Sequence, residues 1–109
     1  MENQHRKITG YRDLSQTEID LMNEIKALGA QIEAIVIKAQ QHVLRQRMKA
    51  LYGQEDFNAP PNSAVAPLDP DTLKRLDDAT PERFAVMAKT EFQTGLMYLT
   101  RAVAQPTTF

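Results

Sequence analysis

Apolar positions repeat at steps of three and four along two long stretches of the chain, and no stretch shows the strict alternation that a half-buried strand requires. In the first stretch Ile25, Leu28, Ile32, Ile35 and Ala39 form a row flanked by Met22, Val36 and Val43, a seam suited to helix on helix packing. Ser15 and Glu18 stand at the Ser-x-x-Glu spacing of a capping box, in which hydroxyl and carboxylate each satisfy an amide that has no partner in the helix. Helix formers run unbroken from there to Tyr52, and Gly53 supplies the stop. A helix over residues 16–52 would be about 55 Å long at 1.5 Å per residue, a rod that needs something alongside it. In the second stretch Phe84, Ala88, Phe92, Leu96, Leu99 and Val103 mark one helical face over about 81–104. Thr80 is the predicted cap of that helix, Pro81 takes the first helical position where its missing N–H costs nothing, Glu82 favours the positive end of the dipole, and Pro106 terminates.

Between the two lies "QEDFNAPPNSAVAPLDP", where Pro60, Pro61, Pro67 and Pro70 forbid a regular helix and push the residues before them toward extended geometry. The pattern predicts a mobile or partner-bound connector over 53–70. A short helix over about 71–79 follows, with Leu73 and Leu76 as its apolar contacts. The organisation read from the chain is an N-terminal arm, 1–14, and a helical domain, 15–109. The fold class is all-α: two long antiparallel helices plus short helical segments. Each helix keeps an uncovered flank once paired with the other. Domains of this size usually draw further stability from disulfides, metals or oligomerisation, and with no cysteine and no metal-ligand pattern the expectation is a helical oligomer.

Composition narrows the function classes. The 109 residues are 42% apolar with three Tyr and four Phe, which is globular rather than disordered. Thirteen Lys and Arg against fourteen Asp and Glu leave a formal charge of −1, so there is no global pull toward DNA or an anionic membrane, and anion binding must come from local clusters. The absence of cysteine excludes thiolate metal sites and thiol nucleophiles and is compatible with a reducing compartment. No apolar h-region stands in "MENQHRKITG" and no window approaches a membrane span, which predicts a soluble cytoplasmic protein. His5 and His42 have no companion at i+4, the glycines at 10, 29, 53 and 95 are too scattered for a phosphate loop, and no Ser-His-Asp set can be argued. The reading is therefore no enzyme, no metal and no cofactor, with Asp77 and Asp78 as a solvated helix face.

What is present suits holding a nucleotide without attacking it. In "HRKITGYRDLS" Tyr11 offers a flat ring for stacking and a hydroxyl, and Lys7 and Arg12 flank it. Arg6, Lys7 and Arg12 against Glu2 give the first twelve residues an excess of two positive charges. Lys26, one position past the seam residue Ile25, projects from the helix flank and can reach a neighbour. On residue type alone a packing tyrosine and a solvated lysine are the commoner roles. In "AKTEFQTG", Gly95 sits inside a helix at a cost of roughly 1 kcal/mol relative to alanine, which asks for close approach by another backbone or a ligand. Lys38, Arg45, Arg47 and Lys49 read as a solvated basic face.

"MENQHRKITGYRDLSQTEIDLMNEIKALG" and "KTEFQTGLMYLTRAVAQPTTF" resemble the phage anti-CBASS proteins of type 2, which sequester cyclic oligonucleotides. The resemblance covers both ends of the chain, about half its length, and not the proline-rich middle. It implies a homohexamer of intertwined protomers that takes up cyclic dinucleotides such as cyclic GMP-AMP in the infected cell and cuts no bond. In that family a tyrosine in a Gly-Tyr-Arg-Asp stretch and a lysine of the following helix hold the dinucleotide at a subunit interface. They fall here on Tyr11 and Lys26, with Lys7, Arg12 and Met22 completing the candidate site. A separate family pocket for cyclic trinucleotides uses a threonine in a Gly-Lys-Thr stretch and an upstream arginine. Thr90 and Lys89 match the stretch, Ala88 stands in place of its glycine, and the upstream arginine position falls near Pro70, with Lys74 or Arg75 as substitutes. Two alternatives stay open beside a nucleotide sponge: a helical scaffold that inhibits a host protein through its exposed seam, and a cyclic nucleotide phosphodiesterase.

Overall fold

The computed structural model describes residues 12–54 and 67–108, and all regular structure among them is helical. α1 spans Gln16–Tyr52, α2 Pro70–Ala79 and α3 Pro81–Ala104. The described residues form two compact units. One joins those up to Glu33 with those from Thr90 onward, and the other comprises those within Ala34–Lys89. Tyr11 and Lys7, and most of the connector, lie outside the described residues.

The helix ends follow local chemistry. Ser15 Oγ accepts from the Glu18 N–H at 3.2 Å and the Glu18 carboxylate accepts from the Ser15 N–H at 2.8 Å, so both halves of the capping box are made. α1 ends at Gly53, whose φ of 77° is the left-handed turn that glycine adopts without a Cβ penalty, its N–H bonded to Lys49 O at 2.8 Å. α2 begins one residue earlier than the sequence predicts. Asp69 caps it, accepting from the Thr72 N–H at 3.1 Å and from the Thr72 hydroxyl at 2.7 Å, and these bonds hold the Asp69 carboxyl below its ordinary range. Pro70 therefore occupies a first-turn position, where its ring is tolerated, rather than the end of the connector. Thr80 stands at the cap position of α3, as predicted, its carbonyl accepting from the Arg83 N–H at 3.1 Å. What the sequence does not predict is its conformation: with φ 47° and ψ 55° it also closes α2 in the left-handed region, its N–H on Leu76 O at 2.9 Å. Thr80 is the single residue between α2 and α3.

Packing in the second unit centres on Val36 and Ala50 of α1 and Leu76 of α2, the three buried apolar residues among those described. The Asp69 N–H bonds to Ala50 O at 2.9 Å and ties the start of α2 to the end of α1. Arg47, expected on a solvated basic face, is instead the hub of this unit. Its guanidinium donates to Asp77 of α2 at 2.8 Å and to both carboxylate oxygens of Glu82 of α3, one at 3.1 Å and the other closer. These bonds lower the Glu82 carboxyl and raise the Arg47 guanidinium. Asp77, read as part of a solvated face, has Arg47 as its partner, and Asp78 pairs with Lys74 at 2.8 Å.

In the first unit α1 and α3 run antiparallel: Arg12, ahead of α1, meets Val103 and Gln105, while Gly29 meets Leu96. No described residue of this unit is buried. The most covered row on α1 is Met22, Ile25, Gly29 and Ile32, and it continues in the second unit through Val36, Val43 and Ala50. The predicted seam shares Ile25 and Ile32 with it, but Leu28, Ile35 and Ala39 are exposed, Ile35 at 61%. Both rows step by three and four, and the row that packs is the one with glycine, because helices approach closest where no side chain intervenes. On α3, Ala85, Ala88, Leu96 and Val103 are half-covered, whereas Phe84, Phe92 and Leu99, expected on the packed face, are exposed. Gly95 is exposed as well, and an added Cβ there meets nothing within 4 Å, so close packing within this chain does not account for it.

Two substitutions at left-handed positions have opposite expected signs. Gly53→Ala is expected to lower unfolding free energy by about 1–2 kcal/mol, and Thr80→Asn, which suits φ > 0, to raise it by up to about 1 kcal/mol. Urea denaturation with unchanged m-values checks both.

Candidate functional site

An open groove of about 710 Å³ runs between α1 and α3 in the first unit, within the size range of small-molecule sites. Helical spacing builds its α1 wall: Met22, Lys26 and Gly29 lie a turn apart on one flank, with Ile25 beside them. Leu96, Met97, Thr100 and Arg101 supply the α3 wall, and Ala104 and Pro106 close the end. Gly29 sets the depth. Leu96 Cδ1 lies 3.3 Å from where a Cβ on that glycine would be, so the leucine seats against bare backbone and forms part of an apolar floor.

The charges over that floor have one sign. Lys26 and Arg101 are both exposed lining residues, and neither makes an ion pair with a carboxylate among the described residues. An apolar floor with two unpaired cations and the Thr100 hydroxyl suits a flat ring joined to an anionic group. Of the sequence-predicted dinucleotide residues, the structure brings Met22 and Lys26 together in this groove. Arg101, which the apolar periodicity of α3 does not single out, joins them there, one turn beyond Met97 on the flank of the helix.

Arg12, expected to flank the tyrosine, is bonded to protein groups at the start of α1 and the end of α3. Its Nη1 donates to Glu18 Oε1 at 3.1 Å, and its Nη2 donates to Glu18 Oε2, to Val103 O at 3.0 Å and to Gln105 Oε1 at 3.4 Å. The guanidinium bond, followed by the two bonds from Ser15, pushes the Glu18 carboxyl from its ordinary 4.5 down to about 2. The same pair raises the Arg12 guanidinium.

Of the predicted trinucleotide residues, Lys89 and Thr90 are exposed neighbours on α3, and Arg75 is exposed on α2. Arg75 lines a shallow depression on α2 with Asp71, Lys74, Asp78 and Ala79, where the Lys74–Asp78 pair already neutralises one cation. Among the described residues no group of three or more His, Asp or Glu is placed to hold a metal ion, and no helix is long and apolar enough to cross a membrane.

Fold and groove together define a small all-helical protein with a cation-rimmed, apolar-floored cleft of ligand size. No protein-family model matches the sequence. The chain is 43% identical over 112 aligned residues, 97% of each chain, to a protein of Pseudomonas phage JBD67 described as anti-CBASS protein 2. It belongs to the anti-CBASS protein 2 family.

The depressed Glu18 carboxyl has a signed consequence. Its stabilising contribution is complete above the ordinary value of 4.5 and is lost as pH falls toward about 2. Acid titration of the melting temperature should therefore fall across that window in the wild type, and the fall should be shallower in Glu18→Gln.

Proposed function

We propose that this chain binds and sequesters cyclic dinucleotides of the cyclic GMP-AMP type without hydrolysing them, and so blocks CBASS immunity inside the infected bacterial cell. The anti-CBASS function follows the phage relative's description, and one structural observation supports the finer reading: Lys26 and Arg101, with no carboxylate partner among the described residues, line an apolar groove in one unit. A cyclic dinucleotide presents two flat bases and two phosphodiesters, which is the chemistry such a groove complements. Lys26 and Arg101 take the phosphates, Met22 and Leu96 contact base or sugar, and Tyr11 of the arm is the stacking ring that the family resemblance assigns. Stacking of about 1–3 kcal/mol per base and paired phosphates are of the size needed toward the roughly −12 kcal/mol of a nanomolar complex, the affinity range a stoichiometric sponge requires.

Assembly belongs to the same reading. Large apolar residues remain exposed on both long helices, Tyr98 at 68% and Met97 at 69%, and Gly95 lies open beside them. Such surface favours association with further copies of the chain, a homohexamer by the family resemblance, with Tyr11 and Lys26 meeting across subunits. Cyclic trinucleotide binding through Thr90, Lys89 and Arg75 is the secondary proposal. The same exposed rows also favour a second reading, in which the helices dock on a host protein.

Calorimetry with cyclic GMP-AMP tests the main reading. Wild-type protein is expected to bind with nanomolar affinity, and Lys26→Ala and Arg101→Ala each to weaken binding at least tenfold while light scattering still reports six copies. Heating the complex should release intact ligand. Recovery of linear product would make the chain a phosphodiesterase, and absence of binding to any cyclic nucleotide would favour the host-protein reading.

A further inference from the structure

We propose that Asn23 reads the edge of an adenine in the α1/α3 groove and so makes the groove selective for cyclic dinucleotides that carry at least one adenine. The inference rests on the dinucleotide reading and deepens it. Floor and rim of the groove separate by angle round each helix. At about 100° per residue, Ile25, Gly29 and Met22 lie toward α3, Lys26 about 40° beyond Met22 and Asn23 about 60° beyond Lys26, so Asn23 is the outermost lining residue of the α1 wall. On α3 the same count runs from Leu96 through Thr100, Ala104 and Met97 to Arg101 at the opposite rim. Asn23 is exposed, and its carboxamide has no hydrogen-bond partner among the described residues. It stands three residues before Lys26, which makes the two neighbours on the helix surface. One nucleotide spans such a pair with its base edge at the amide and its phosphate at the ammonium.

A purine laid on Met22 and Leu96 meets the floor with its face, and its polar atoms lie in the plane of the ring, directed at the rim. Which base the rim accepts follows from its donors and acceptors. Lys26 and Arg101 only donate, and the two phosphodiesters of the ligand engage them. The Thr100 hydroxyl rotates to donate or accept, so it does not separate one base from another. Asn23 is the lining residue that carries a fixed acceptor beside a fixed donor. Its Oδ1 accepts from the adenine N6 amino group while its Nδ2 donates to N7, the two-bond pairing that asparagine makes with adenine. Guanine presents acceptors at both of those positions, O6 and N7. The amide then satisfies one of them with its donor and sets its own carbonyl oxygen against the other.

Calorimetry of the full-length chain with cyclic di-AMP and cyclic di-GMP reads the assignment as a ratio of affinities. Wild-type protein is expected to bind cyclic di-AMP about tenfold or more tightly than cyclic di-GMP, the discrimination that a two-bond pair supplies. Asn23→Leu, which keeps the size and removes both polar atoms, should bring the two ligands within about threefold of each other, chiefly by weakening cyclic di-AMP. Asn23→Asp is the sharper variant. Its carboxylate accepts and does not donate, so it loses the bond to adenine N7 and gains acceptors for the N1–H and the N2 amino group of guanine. The ratio should move about tenfold or more toward cyclic di-GMP. The added negative charge repels two phosphates in either ligand and cancels in the ratio. Helix content by circular dichroism checks that both variants fold. Equal affinities in the wild type, or a ratio that both variants leave unchanged, overturn the role of Asn23 while leaving the dinucleotide reading intact. Failure of the wild-type protein to bind cyclic di-AMP, cyclic di-GMP or cyclic GMP-AMP overturns that reading and the adenine contact with it.

Discussion

A helix pair buries one stripe of each partner and no more, and the rest of this structure follows from which stripe is chosen. In the first unit α3 packs where Gly29 leaves α1 without a side chain, and Leu96 fills the space. That contact determines how deep the groove lies, which flanking residues line it, and which apolar residues face outward. Met22 and Lys26 line the groove because they precede Gly29 by seven and three residues on the same flank, the spacing at which helical residues share a face. Leu28 and Ile35, one position away from the chosen row, remain uncovered.

The cations divide into two kinds by what surrounds them, a division hidden by a net charge of −1. Arg12 and Arg47 each gather acceptors from more than one element and hold those elements together. Lys26 and Arg101 have no carboxylate partner among the described residues and face the groove. A guanidinium with several fixed donors is suited to the structural role, and an unpaired cation beside apolar surface is suited to attracting a phosphate. Membership of the anti-CBASS protein 2 family gives that second group its interest, since the proposed ligand is a doubly charged ring with two flat faces.

Exposed apolar rows and an open Gly95 leave the folded chain with surface that water does not favour. The first unit, with no buried residue among those described, gains most from a covering partner.

From its sequence alone the chain determined everything that a few neighbouring residues decide: the all-helical class, the capping box at Ser15 and Glu18, the stop at Gly53, and the flank position of Lys26. These are interactions over three or four residues, and their signature is local spacing. Tertiary structure alone decided which of two equally periodic rows on α1 would pack, because that depends on the closest approach of a distant helix at Gly29. It also decided that Arg47 and Arg12 would be consumed by carboxylates and carbonyls far along the chain while Arg101 would face the groove. The left-handed conformation of Thr80, the single residue between α2 and α3, likewise has no signature in the local sequence. Identical local patterns have different fates when the partner that discriminates between them lies thirty or more residues away, as Glu82 does from Arg47.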